Sequence, residues 1–230
     1  MTKKQIISKV KEIILKFSNP ERIYIFGSQA TGENNKNSDI DIAYDDPNFS
    51  EHHLIIDEVE KLETLIKIDV KNIAKTQDRF KNRVKSTGKV IFSANKKLRA
   101  EDGLLNFSQA LNKFITAIEI KDEIQNQGFE DIYLDLIIKR FEFTFEMAWK
   151  SLKRYLEFLG FTPKNPRSTF KEAYAQEILK DENVWLLMIE HRNLSSHIYD
   201  ENEISEILDF LKDFEKAFIE LKTEIEKGLK

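Results

Sequence analysis

Cysteine is absent from the 230 residues, which excludes disulfides and thiolate metal sites and suits a reducing cytoplasm. Glycine and proline are scarce, at 7 and 4 residues, against 17 phenylalanines. That balance predicts well-packed helices joined by short loops. Long apolar runs are missing too. In the C-terminal half the longest is Val184–Ile189, far short of the about 20 residues of a membrane-crossing helix. Met1–Val10 carries lysines with no apolar segment behind them, so no secretory leader is expected.

What is present is charge, at 33% of residues, and it is unevenly shared. Residues 1–96 hold 17 basic and 14 acidic side chains, which leaves 19 and 26 for the remainder. A mildly basic first half and an acidic second half favour docking between the halves or between chains. The acidic half also argues against non-specific binding of nucleic acid, which wants a basic face.

The first half alternates between two periodicities. Ile6, Val10, Ile13, Ile14 and Phe17 recur at helical spacing up to Asn19-Pro20. Apolar runs at 22–26, 39–45, 67–73 and 89–92 read as strands, with helices expected at 51–65 and 77–87. Residues 34–38 read as a polar loop. Strands alternating with helices in so short a stretch give an α/β domain with a small mixed sheet, placed at 1–96. Ser93–Gly103 is polar and lysine-rich, and reads as a junction of about ten residues, able to reach about 33–36 Å when extended. Beyond it strand signals vanish. Helices are expected at 104–127, 130–159, 166–180, 182–198 and 202–228, an all-α bundle placed at 103–230. Phe141, Phe145, Trp149, Leu152 and Leu156 form its inward stripe.

The chemistry of the first half concentrates at Gly27-Ser28 and, after ten residues, Asp39-Ile40-Asp41. A Gly-Ser turn offers N–H groups and a hydroxyl to phosphate oxygens. Asp39 and Asp41 are two apart on a strand, so both face one side, about 6–7 Å apart. Asp69 sits on the next strand run. Three carboxylates so arranged can hold Mg²⁺ against a triphosphate, and Asp69 could take the proton of an acceptor hydroxyl. No His/Cys metal spacing exists, so Mg²⁺ on carboxylates is the metal expected. His52 and His53 open a helix and are expected to face solvent; His191 reads as local structure.

Gly27-Ser28-Gln29-Ala30-Thr31-Gly32, followed by Ser38-Asp39-Ile40-Asp41-Ile42, resembles the minimal nucleotidyltransferase family of the DNA polymerase β-like superfamily. The Gly, Ser and three Asp positions match; Thr31 stands where many members carry arginine. The resemblance implies transfer of a nucleotide from a triphosphate, with ATP as substrate, Gly27 and Ser28 on phosphates, and Asp39, Asp41 and Asp69 on metal.

In the helical half, Arg192, four residues, His197, then Tyr199 resembles the HEPN superfamily motif. The stretch from Phe143 through Glu146, Trp149, Pro166-Arg167 and Trp185 to Tyr199 resembles its branch of nucleotidyltransferase substrate-binding proteins. Five residues place Arg192 and His197 roughly 140° apart around a helix, so one chain makes a poor site and a two-fold pair of chains could pool both residues. The resemblance implies a homodimer through the helical halves. Its His would act as acid/base and its Arg would stabilise a phosphate transition state on RNA. It also implies that Tyr199 accepts AMP, which would silence that RNA site as in a fused toxin–antitoxin module. Two alternatives stay open: a small-molecule acceptor held by the helical half, and a dimeric ribonuclease neutralised by its N-terminal half. A cytoplasmic setting without membrane contact is expected.

Overall fold

In the computed structural model, which describes residues 1–31, 38–194 and 201–230, the alternating runs of the N-terminal half pair into one four-stranded sheet. Its strands are β1 (Arg22–Phe26), β2 (Ile40–Tyr44), β3 (Ile68–Asn72) and β4 (Lys89–Ser93), in the order β3-β2-β1-β4. β1 runs antiparallel to β2 and β4, while β2 and β3 are parallel, so the sheet is mixed. The expected α/β domain with a small mixed sheet is present. The polar loop expected at 34–38 lies outside the described residues up to position 37.

Strand alternation sorts the side chains onto two faces. Ile23, Ile25, Ile40, Ile42, Tyr44 and Val70 share one buried cluster with residues of α1 (Lys3–Phe17) and α3 (His52–Glu60). Tyr24, Phe26 and Ala43 pack on the other face with Val84 and Phe80 of α4 (Asp78–Thr87). α1 is bounded as its sequence suggests. Thr2 and Gln5 form a reciprocal capping box at its start, and Pro20 follows its end.

A clasp of buried polar groups holds the C-terminal ends of β2 and β3 together. The Asn72 amide donates to the Asp46 carbonyl at 2.7 Å, and its oxygen accepts from the N–H groups of Asp46 and Ala74 at 3.3 and 3.1 Å. The Asp46 carboxylate accepts from the N–H groups of Asn19 and Asn48. Tyr44 completes the cluster. Burial pushes its phenol upward, helped by the Asp46 charge and opposed by a hydrogen bond with Asn72, and its hydroxyl lies 2.9 Å from His52 Nδ1. His52 is therefore half-buried rather than solvent-facing, whereas His53 is exposed.

Two boundaries in and just after the first half differ from the sequence expectation. α3 ends at Glu60, five residues early. Thr64 accepts the Ile66 N–H on its hydroxyl at 3.1 Å, a local turn that competes with helix. Leu62 and Ile66 still pack on the core, but from a loop. The polar junction is not extended: α5 (Lys96–Glu119) starts within it. The Asn95 side chain accepts the Leu98 N–H at 2.9 Å, capping the helix, so only Ala94 and Asn95 separate β4 from α5.

The chain divides into two units, Met1–Leu98 and Arg99–Lys230. The second is built from most of α5, then α6 (Lys121–Gln125), α7 (Glu130–Leu159), α8 (Pro166–Ala175), α9 (Glu182–Leu194) and α10 (Glu201–Leu229). It is the helical bundle expected. Its centre is a lattice of phenylalanines from α5, α7 and α10: Phe141 stacks on Phe214 at 5.1 Å, and Phe218 meets Phe107 and Phe114 edge-on. Phe141, Phe145, Leu152 and Leu156 are buried as expected. Trp149 sits at the edge, with its indole N–H donating to Glu146 at 2.7 Å. α7 stops at Gly160, which takes a left-handed φ of 104°. α8 ends at Ala175, short of position 180, because Glu177 turns to φ 58° and the Ile178 N–H returns to the Ala173 carbonyl. No described helix is long and apolar enough to cross a membrane.

Removing the clasp should be costly. Asn72→Ala leaves the Asp46 backbone groups without partners in a buried setting, and should lower unfolding free energy by about 1–3 kcal/mol. Urea unfolding followed on the N-terminal unit's own transition measures it.

Candidate active site

The parallel pairing of β2 and β3 sets Asp41 directly beside Asp69. Both lie opposite the isoleucine face, on the α4 side of the sheet, with Ala43 and Lys71 continuing the same row. Asp39 precedes β2 and is exposed. The three aspartates found in the sequence are near enough to act on one another: burial raises the Asp41 carboxyl most, and the charges of Asp69 and Asp39 raise it further. Two cations oppose the shift, Lys71 and Lys67. Lys71 Nζ lies 2.7 Å from Asp69 and Lys67 Nζ 3.9 Å from Asp39. Neither lysine stood out in the sequence, though Lys71 is two residues past Asp69 and so shares its face.

Gly27 joins the cluster through its backbone. Its φ is +67°, a region that disfavours side chains, and a Cβ there would collide with the Asp41 carboxylate. β1 pairs Phe26 with Asp41, so the turn leaving β1 must run against that carboxylate. The turn then becomes the short α2 (Ser28–Thr31), closed by Ala30 N–H to the Gly27 carbonyl at 3.0 Å. Ser28 opens α2 at half burial. Gln29 donates to the Asp39 carbonyl at 3.3 Å, tying α2 to the start of β2. Gly32 falls outside the described residues.

Among the described residues no three His, Cys, Asp or Glu side chains are gathered as a ready-made metal cage. An all-oxygen carboxylate set with surplus negative charge nonetheless suits Mg²⁺, which takes one or two carboxylates and completes its shell with phosphate oxygens and water.

The second group of residues lies in the helical unit. Arg192 is exposed near the end of α9 and borders a hollow of about 500 Å³ with Lys139, Glu142, Phe143 and Glu146 of α7. Burial raises the Glu146 carboxyl, but hydrogen bonds from Lys150 and Trp149 and the charges of Lys150 and Arg192 outweigh it and leave it below its ordinary value. The fold thus brings Arg192 to Phe143 and Glu146, both already part of the sequence pattern. Lys139 and Glu142 carried no signal of their own. His197 and Tyr199 lie outside the described residues. His191, read from the sequence as local structure, is buried against Phe210 and Phe214.

Comparison with known proteins divides the chain the same way. Residues 102–227 match the model of the family described as nucleotidyltransferase substrate binding protein like. Residues 8–97 match the family described as polymerase beta, nucleotidyltransferase. A crystal structure of a protein from Thermus thermophilus is similar at 27% identity, with a TM-score of 0.46, over 52% of this chain and 98% of that one. No curated protein matches the chain.

Two outcomes follow from the crowded carboxylates. Asp41 has a raised pKa, so its ionisation disfavours the fold: its contribution is most favourable below the unfolded value of about 3.9 and is lost as pH rises through the folded value. Asp41→Asn should therefore melt higher than the parent at pH 7, and the gap should close in acid, as thermal scans across that range would record. Gly27→Ala combines a left-handed backbone with a collision at Asp41, and should destabilise by at least about 1–2 kcal/mol, measured by urea unfolding.

Proposed function

Because the chain belongs to the nucleotidyltransferase substrate binding protein like family and carries a polymerase beta nucleotidyltransferase domain ahead of it, we propose that it transfers AMP from ATP to a hydroxyl, with Mg²⁺. The observation that carries this reading is the Asp41–Asp69 pair, set side by side by strand register, with Gly27 against Asp41.

The roles follow from position. Gly27 and Ser28 open a turn whose N–H groups and hydroxyl suit phosphate oxygens. Asp39 and Asp41 would hold Mg²⁺, with Asp69 completing the set; the ion would spread the charge that develops on the phosphates. Asp69 is also the base: its carboxylate takes the proton of the acceptor hydroxyl. The freed oxygen forms a bond to the α-phosphorus, the bond to the β-phosphate oxygen breaks, and pyrophosphate leaves. Lys71 keeps the Asp69 charge balanced in the unliganded protein.

The acceptor in this reading is Tyr199 of a helical domain, within one chain or across a homodimer formed by the helical units. Support comes from the exposed Arg192 and Phe143, which border one hollow of α7 and α9. A nucleotide on Tyr199 would place an anion seven residues along the chain from Arg192 and block an RNA site there. The physiological role would be a fused toxin–antitoxin module with one half silencing the other.

Intact-mass spectrometry after incubation with ATP and Mg²⁺ should show one or more added AMP units. Asp69→Asn should slow labelling by about 10²–10⁴-fold, and Asp39→Asn with Asp41→Asn should abolish it. Tyr199→Phe should remove the label without loss of stability. A Tyr199→Phe protein labelled as fast as the parent would move the acceptor elsewhere.

A further inference from the structure

The helical unit contains a groove of about 470 Å³ between α8 and α9, apart from the hollow around Arg192. Its floor is aromatic and belongs to the core: Phe170 and Trp185 are 5% and 4% exposed, with ring centroids 5.0 Å apart. Both side chains are fixed from behind, Phe170 by Phe145 at 5.4 Å and Trp185 by Phe218 at 5.8 Å. The floor is therefore preformed and keeps its shape without a ligand. The walls are different. Tyr174 of α8 and Leu186 of α9 line the groove at 45% and 50% exposure, so they offer apolar surface that water now covers.

Charge at the rim is asymmetric. Arg167 and Lys171 are four residues apart on α8, on one face of it, and both line the groove; Glu182, from the first turn of α9, is the acid that joins them. Two cations against one carboxylate favour an anion. Arg167 offers a planar fork for a carboxylate or phosphate, while Lys171 supplies a mobile point charge. Glu182 would accept from an N–H or O–H of the guest.

From this we propose that the α8–α9 groove binds a small planar aromatic anion, its ring between Tyr174 and Leu186 over the Phe170–Trp185 floor and its negative group on Arg167 and Lys171. The chemistry is shared by two sources, a nucleoside monophosphate and an aromatic carboxylic acid. The inference concerns binding alone and does not rest on the nucleotidyl transfer proposed above.

Titration calorimetry on the full chain, with neither Mg²⁺ nor ATP, tests it with three probes: 2-naphthoate, its uncharged methyl ester, and AMP. At least one anion should bind once per chain. Arg167→Gln with Lys171→Gln should weaken that binding at least about tenfold, a factor that corresponds to about 1.4 kcal/mol. Leu186→Trp changes an exposed position, so it should fill the groove and abolish binding without disturbing the core. If naphthoate is the ligand, its ester should bind at least about tenfold more weakly, in line with a lost charge-assisted contact. AMP binding that Leu186→Trp removes would identify the nucleotide source; naphthoate binding without AMP binding would identify the carboxylic acid. Failure of both anions to bind saturably would overturn the proposal, as would an ester that binds as tightly as its acid in the absence of AMP binding. Binding unchanged in both variants, with their circular dichroism intact, would overturn it equally.

Discussion

The parallel register of β2 against β3 is the constraint on which the N-terminal unit's chemistry depends. A slip of one residue along a strand would send every side chain of β3 to the opposite face. Asp69 would then point toward the isoleucine layer, and Ile68 would take its place beside Asp41. Two features prevent that slip. Ile40, Ile42 and Val70 have their layer of α1 and α3 to fill, and the Asn72–Asp46 clasp fastens the far end of the pair with bonds to both backbone groups of Asp46. The hydrophobic layer selects the face and the polar clasp selects the step.

That register comes with an electrostatic cost. Burial of Asp41, and then the charges of Asp69 beside it and Asp39 near by, raise its carboxyl above the ordinary value. Lys71 and Lys67 offset part of the cost from the strand and loop that already carry Asp69 and precede it. The arrangement is poor for stability and suited to attracting a cation, a familiar conflict at sites built from like charges. The basic balance of residues 1–96 is consistent with this local pairing, since several of those lysines neutralise acids of their own unit. Asp45 is another instance: it is buried and held by Lys85 at 2.8 Å and Lys81 at 3.8 Å.

What the sequence disclosed was local. Gly27-Ser28, Asp39-Ile40-Asp41 and the strand runs are short patterns, and they appear on the strands and turn expected, save that Asp39 falls one residue ahead of β2. The strand that carries Asp69 was readable; its side-by-side register with Asp41 was not, because nothing in a single strand specifies its partner's step. Lys71 was hidden for the same reason, since a lysine on a strand edge is ordinary until its neighbour is known. The early start of α5 had a signal in Asn95, a good N-cap, but the polar composition of residues 93–103 masked it. The end of α3 turned on one threonine hydroxyl competing for one backbone N–H.

The helical unit makes the opposite case. Its sequence pattern is dense in aromatic residues, and such stripes are core far more often than ligand sites, so Phe170 carried no functional signal and Trp185 only its place in the family pattern. The structure shows how one residue can be both. Phe170 packs on Phe145 and Trp185 on Phe218, which immobilises both, and the pair also forms the floor of the α8–α9 groove. Rigid aromatic surface backed by a packed core loses little entropy when a flat guest covers it. The cations that would select such a guest lie on α8, one turn apart, where the capped start of the helix fixes their spacing. Core packing and recognition are thus served by the same side chains, which is why periodicity alone, reading them as interior, could not have found the groove.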